Sequence, residues 1–79
     1  MKNEVKYFAL FREQVGCSSE TIDWQGGTAT ELFAHVSSLH AGLVPQAAAL
    51  VAVNDEMADW SVVLQNDDQV LFFPPVAGG

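Results

Sequence analysis

The stretch GGTATELFAHVSSLHAGLVP, residues 26–45, predicts the main helix of the chain and decides the fold. Two glycines interrupt the preceding strand pattern, and in TATE the Thr28 hydroxyl and the Glu31 carboxylate can satisfy early backbone donors as a capping box. We expect Gly42 to end the helix in a left-handed conformation and Pro45 to prevent its resumption. Apolar residues recur at the three- and four-residue steps of one helical face: Leu32, Phe33, Val36, Leu39 and Leu43.

Two strands are predicted before this helix. EVKYFALF, Glu4–Phe11, alternates as a strand does, with Val5 and Tyr7 on one face. ETIDW, Glu20–Trp24, alternates again. The intervening REQVGCSS contains Gly16 and is expected to be a turn, so the two strands should form a hairpin.

Further strands are predicted after the helix. LVAVN, Leu50–Asn54, is a strand candidate, NDE favours a tight turn, and MADWS is a short return. QNDDQ is a polar turn before VLFF, a last strand that Pro74 must end because proline has no donor N–H. The order ββαββ is that of an α+β β-grasp, or ubiquitin-like, domain, in which a mixed sheet packs on one main helix and the first and last strands lie side by side. We expect this domain over residues 1–74 and a flexible tail over 75–79.

Charge and composition argue against several kinds of partner. The net charge is −7, and the only cations are Lys2, Lys6 and Arg12. This balance opposes binding to nucleic acid or to an anionic membrane, because both require Lys or Arg to neutralise phosphates, and it favours a basic protein partner. No apolar run approaches the ~18 residues of a membrane span. With no leader and with Cys17 as the only cysteine, a reducing cytoplasm is the expected compartment.

With two histidines and one cysteine, the sequence contains no recognisable set of catalytic residues. No Ser-His-Asp arrangement, phosphate loop or metal-ligand cluster can be assembled from these residues. His35 and His40 stand five residues apart, a spacing that does not align them on one helical face, so we expect both at the surface and no metal site. Cys17 is expected to be an ordinary residue of the turn after Gly16.

The last residues, FFPPVAGG, change from apolar to rigid to side-chain-free. The two prolines hold the base of the tail extended, which lowers the entropy lost when the tail is inserted. The two glycines carry no Cβ, so they can thread a narrow channel. A β-grasp domain with such a tail resembles the proteins whose C-terminal carboxylate is the reacting group, and this resemblance implies a tail that enters a partner. Its predicted insertion segment comprises Pro74, Pro75, Val76, Ala77 and Gly78, and Gly79 carries the terminal carboxylate.

FFPPVAGG, together with FALFREQVG (residues 8–16) and AVN (residues 52–54), closely resembles the small subunit of molybdopterin synthase, the MoaD family of sulfur carriers. The resemblance covers essentially the whole chain. The Phe-Phe-Pro-Pro lead-in is its most specific part, because related carriers for thiamine synthesis share Gly-Gly but usually not that lead-in. One departure is NDDQV, residues 66–70, where the family commonly has an Asp-Gly-Asp-like turn and Asp67 occupies the glycine position.

The resemblance implies a sulfur-transfer cycle. The Gly79 carboxylate would be adenylated by a ubiquitin-activating-like adenylyltransferase that uses ATP and magnesium, and would then become a thiocarboxylate. The loaded tail would enter the large subunit of molybdopterin synthase and donate its sulfur to cyclic pyranopterin monophosphate during molybdenum cofactor biosynthesis. The chain would be a non-catalytic cosubstrate and would bind no cofactor itself.

Strand alternation also predicts a docking surface at the root of the tail. If Tyr7 and Phe72 point to the core, their neighbours emerge on the opposite face of two adjacent strands. A contiguous apolar patch of this kind favours a protein interface. We expect Arg12 to add a pairing with a partner carboxylate. The predicted patch comprises Phe8, Leu10, Leu71 and Phe73.

The residues leave other functions open. A sulfur carrier for thiamine, for tRNA thiolation or for another thiolated metabolite would use the same terminal chemistry. A ubiquitin-like protein modifier would instead form isopeptide bonds with lysines. A binding module with a Gly-Gly end would do neither.

Overall fold

The structure is a computed structural model and describes residues 1–75. One mixed sheet of five strands and two helices make up this part of the chain. The architecture confirms the predicted β-grasp fold. Its elements are, in chain order, β1 (Lys2–Tyr7), α1 (Ala9–Val15), β2 (Ser19–Asp23), α2 (Ala29–Leu39), β3 (Leu50–Val53), β4 (Glu56–Ala58) and β5 (Gln69–Phe73).

The first and last strands lie side by side in the middle of the sheet, as predicted. The strand order is β2-β1-β5-β3-β4, with β1 and β5 parallel and the other neighbouring pairs antiparallel. In the central pair Val5 is opposite Val70 and Tyr7 is opposite Phe72. Because side chains alternate along a strand, these four residues share one face. All four are fully buried or nearly so, against the main helix.

The main helix begins where the sequence predicts. The Thr28 hydroxyl accepts a hydrogen bond from the Glu31 amide at 3.2 Å, and the Glu31 carboxylate accepts one from the Thr28 amide at 2.9 Å. This capping box satisfies two backbone donors of the first turn. The apolar stripe is buried through Val36, but Leu39 at the end of the helix is 56% exposed.

The core is aromatic around the last strand. The Phe72 ring meets the Phe33 ring of α2 edge to face, with centroids 4.9 Å apart, and lies parallel to the Trp60 indole at 5.7 Å. Both geometries are favourable for aromatic pairs. We call the sheet face toward α2 the inner face and the opposite one the outer face.

The segment after the first strand is a helix, so the prediction of a strand to Phe11 followed by a turn is wrong. Strand β1 ends at Tyr7, and α1 then buries Phe11 completely and half-buries Val15. Phe11 and Val15 are four residues apart and therefore lie on one helical face. Gly16 ends α1 with a φ of 91°, a left-handed conformation that suits glycine.

Gly42 is not the left-handed stop that the sequence predicts. The main helix ends at Leu39, and its C-cap His40 has an extended backbone with a φ of −123°. Gly42 lies outside the left-handed region, but a Cβ built on it would stand 2.8 Å from the carbonyl oxygen of Gln14. The glycine is therefore required by the close approach of the loop to α1.

Asp67, which stands where the resembling family commonly has glycine, has a backbone conformation that favours glycine. Its φ is 69°, in the left-handed region, and its amide donates to the carbonyl of Lys2 at 2.7 Å. A Cβ is disfavoured there, although aspartate tolerates this region better than most residues. The turn before β5 therefore keeps a glycine-like backbone at some cost in energy. Asn54 and Asp55, with φ of 51° and 68°, form the predicted tight turn after β3.

Asp67→Gly is expected to raise the free energy of unfolding by about 0.5–1 kcal/mol, because glycine adopts a left-handed φ without a Cβ clash. Asp67→Ala is the matched comparison and should lower it, because alanine keeps the Cβ and lacks the tolerance of aspartate. Urea unfolding followed by circular dichroism measures both. A lower stability for the glycine variant than for the wild type would contradict this account.

Candidate partner-binding face and tail base

The base of the tail is joined directly to the core. Strand β5 ends at Phe73, Pro74 is half-buried and Pro75 is exposed. Phe72 is fully buried among the core aromatic rings, so the residue before Phe73 anchors this base. The predicted tail residues Val76, Ala77, Gly78 and Gly79 lie outside the described residues.

Phe8 and Phe73 form a stacked pair on the outer face. Their ring centroids are 4.5 Å apart and the rings are nearly parallel, at 16°. Both side chains are half-buried. The sequence correctly predicts that these two residues meet on the face opposite Tyr7 and Phe72. Their part in binding a partner stays a prediction.

Leu10 and Arg12 lie on α1 and not on a strand. Ala9, at the start of α1, has a φ of 49°, so the chain turns sharply after Phe8. This turn sends Phe11 into the core and leaves Leu10 45% exposed beside Phe8. Arg12 is exposed, and no carboxylate of residues 1–75 forms an ion pair with it.

Leu71 faces outward but contributes almost no surface. It is only 8% exposed because β5 is flanked on both sides, with Lys6 and Ala52 as its strand neighbours. The prediction of four emerging residues is therefore wrong for Leu71.

An apolar groove of about 660 Å³ opens between α1, the outer face and the base of the tail. Leu50 and Met57 line its far side, and they are 55% and 62% exposed. Neither residue was predicted, because the expected patch concerned only the two central strands, although the alternation in LVAV and EMA places Leu50 and Met57 on the outer face. We call this feature the docking groove; its walls are Phe8, Ala9, Leu10, Leu50, Met57, Phe73, Pro74 and Pro75.

A cluster of polar side chains joins the first hairpin to the end of α2. The Tyr7 hydroxyl donates to the Glu20 carboxylate at 2.6 Å, and Nε2 of His40 lies 2.6 Å from the same oxygen. His40 is thus half-buried and partnered, and its prediction as a surface residue is wrong. His35 is also half-buried, beside the Trp24 ring at 5.9 Å. Burial and the hydrogen bond to Glu20 hold the pKa of Tyr7 well above its ordinary value of 10.0.

The remaining chemistry-bearing groups form no further site. Cys17 is half-buried and packs against the core after Gly16. Over residues 1–75, no three side chains of His, Cys, Asp and Glu come together as a metal site requires. In the same part of the chain, no helix has the length and apolar character needed to cross a bilayer.

Residues 5–79 match the family model described as the ThiS family. The chain belongs to the ThiS family. Two relatives of this ThiS-family chain are molybdopterin synthase sulfur carrier subunits. The one from Homo sapiens is 36% identical over 81 residues, which cover 96% of this chain and 92% of the relative. The one from Escherichia coli K12 is 33% identical over 79 residues, which cover 96% and 98%.

Solved structures agree with the ThiS-family fold. SAMP1 from Haloferax volcanii superimposes with a TM-score of 0.85 over the full length of both chains, and at 24% identity this likeness concerns the fold alone. A chain from the complex of subunits 1 and 2 of the molybdopterin-converting factor of Helicobacter pylori 26695 superimposes with a TM-score of 0.68 at 26% identity, again over both full lengths.

Tyr7 is the only tyrosine, so its ionisation can be followed alone. The folded pKa lies above the unfolded value of 10.0, so the unfolded state loses its proton first as pH rises. The contribution of Tyr7 to the free energy of unfolding is fully present below pH 10. Above pH 10 the free energy of unfolding should fall by up to about 1.4 kcal/mol per pH unit. Phenolate absorbance should therefore appear together with unfolding, measured by circular dichroism.

Tyr7→Phe is the control for this titration, because it removes the ionising group and keeps the ring. Its stability should fall less steeply than that of the wild type above pH 10. Phenolate formation near pH 10 in a fully folded wild type would refute the description of Tyr7.

Proposed function

We propose that the chain is the sulfur-carrier small subunit of a molybdopterin synthase and that the Gly79 carboxylate is its reacting group. The observation that carries the proposal is the near full-length likeness to two molybdopterin synthase sulfur carrier subunits, with a family match that runs through Gly79. The apolar docking groove at the base of the tail supports it independently.

The chemistry begins with activation of a poor electrophile. A carboxylate oxygen of Gly79 attacks the α-phosphorus of ATP, pyrophosphate leaves, and an acyl-adenylate forms. An adenylyltransferase of the ubiquitin-activating type would catalyse this step with magnesium. Sulfur supplied as hydrosulfide then attacks the acyl carbon, AMP leaves, and the resulting thiocarboxylate carries a nucleophilic sulfur at neutral pH. No ionisable side chain of this chain takes part.

The described residues serve this chemistry by positioning the tail. We propose that residues 1–74 act as the docking domain and residues 75–79 as the inserted tail. Pro74 and Pro75 restrict the backbone at its base, which lowers the entropy lost on insertion. Gly78 and Gly79 leave the reacting end narrow enough for a confined active site.

The docking groove would receive the large subunit of the synthase. The groove exposes aromatic and aliphatic side chains around the stacked Phe8–Phe73 pair, the composition found at the centre of many interfaces. A complex of subunits 1 and 2 is the form in which the Helicobacter pylori relative was solved. The loaded tail would then donate its sulfur to cyclic pyranopterin monophosphate bound by the large subunit. Arg12 would pair with a partner carboxylate at the rim.

We further propose that the chain works in the reducing cytoplasm, since its single cysteine is free. Carriers for thiamine or other thiolated metabolites would share every step up to the thiocarboxylate and differ in the acceptor. The names of the curated relatives favour the pterin acceptor.

Incubation with an adenylyltransferase, ATP, magnesium and a sulfur donor should replace one terminal oxygen by sulfur. Intact mass spectrometry measures the exchange. Because oxygen addition to methionine has nearly the same mass, the change must also be located in the C-terminal peptide. A variant lacking Gly79 is the control and should show no exchange. Exchange in that variant, or none in the wild type, would refute the mechanism.

Phe73→Asp should weaken binding to the large subunit by at least about 30-fold, because it places a charge in an apolar interface. Isothermal titration calorimetry measures the affinity. Leu50→Asp, on the far side of the groove, should weaken binding with less disturbance of the core.

Val63→Asp is the matched control for these variants. Val63 is 64% exposed and does not line the groove, so the same change should leave binding unaltered. Circular dichroism would verify that all three variants fold. Normal binding by folded Phe73→Asp and Leu50→Asp would show that the groove is not the docking surface.

A further inference from the structure

Met57 is the most exposed large apolar side chain of the docking groove. It lies on the short edge strand β4 opposite Ala52, and 62% of it is accessible. The chain has one other methionine, Met1, which is half-buried and packs against the core. The two thioethers therefore differ in access to a small oxidant.

We propose that Met57 is a reversible oxidation site and that its oxidation by a peroxide prevents docking of the carrier. In the reaction the thioether sulfur attacks one oxygen of hydrogen peroxide, the O–O bond breaks, an S–O bond forms and water leaves. Sulfur loses two electrons and the peroxide gains them. The product, methionine sulfoxide, is a substrate of methionine sulfoxide reductases, which makes the change reversible.

The sulfoxide would be poorly accommodated by the docking groove. Its oxygen is a strong acceptor, whereas the groove walls facing Met57 are apolar and aromatic: Phe8, Leu10, Leu50, Phe73, Pro74 and Pro75. None of these side chains has a hydrogen-bond donor. Burying the sulfoxide between these walls and an apolar partner surface would therefore leave a desolvated acceptor, which is costly. This consequence rests on the proposed function, whereas the selective oxidation of Met57 does not.

Docking itself would control the reaction. In the free carrier Met57 is open to solvent, and in a complex formed through the groove it would be covered. Oxidation would then act on free carrier and spare carrier that is bound to its partner. The oxidised fraction of Met57 would thus depend on both the oxidant concentration and the fraction of carrier that is bound to its partner.

The first experiment measures selectivity on the full chain without sulfur loading. The free protein is treated with hydrogen peroxide, and sulfoxide is located by peptide mapping. We expect Met57 to be oxidised well before Met1, and bound large subunit to slow the reaction at Met57 alone. Equal rates at the two methionines, or no protection by the large subunit, would overturn the proposal. Fragmentation of the peptides also separates oxidation of Cys17 from that of Met57, because it assigns each added oxygen to a residue.

The second experiment measures affinity for the large subunit before and after peroxide, again on unloaded carrier. Peroxide should lower the affinity of the wild type for the large subunit about tenfold or more, and a methionine sulfoxide reductase should restore that affinity. Met57→Leu should bind equally before and after peroxide, whatever its starting affinity. Met57→Gln, which carries a polar group without oxidation, should bind weakly from the start. An unchanged affinity of oxidised wild type, or an equal loss in Met57→Leu, would overturn the proposal.

The two experiments separate this inference from the proposed function. If untreated wild type does not bind the large subunit, the proposed function fails and the docking consequence fails with it. If untreated wild type binds and oxidised wild type binds as well, only the role of Met57 fails.

Discussion

The parallel pairing of β1 with β5 is the constraint on which the rest of the structure depends. It sets Val5 beside Val70 and Tyr7 beside Phe72 on the inner face, and it brings Phe8 next to Phe73 on the outer one. Because side chains alternate with a period of two, a slip by one residue would exchange the core and the docking groove. The same register therefore determines both how the domain folds and where the base of the tail emerges.

Elements with a strong local signal were predictable from the sequence. Helix α2 has a capping box and a regular apolar stripe, and β5 ends at a proline, so the start of α2 and the end of β5 could be placed. Helix α1 could not be predicted, because the apolar pattern of FALF fits a strand as well as a short helix. Only the packing of Phe11 against Phe33 decides between the two. Seven residues carry too little periodicity, and tertiary packing overrides it.

The candidate site divides in the same way. Phe8 and Phe73 were predictable because they lie next to core residues in the two central strands. To predict Leu50 and Met57, the positions of the neighbouring strands β3 and β4 are needed as well. The burial of Leu71 depends on the strands that flank β5, which no local pattern shows. The pairing of His40 with Glu20 joins residues that are 20 positions apart, and no local pattern indicates such a contact.

The division of β5 between two faces explains how the core can orient the base of the tail. Phe72 packs against Phe33, Trp60 and Tyr7, so a shift of the tail base would disrupt several aromatic contacts at once. Close-packed interiors resist such shifts, and the orientation of Pro74 is therefore set by the core. The next side chain, Phe73, belongs to the docking groove. Under the proposed function, a partner that binds this groove would therefore meet the base of the tail at a fixed point, as the threading of a narrow channel requires.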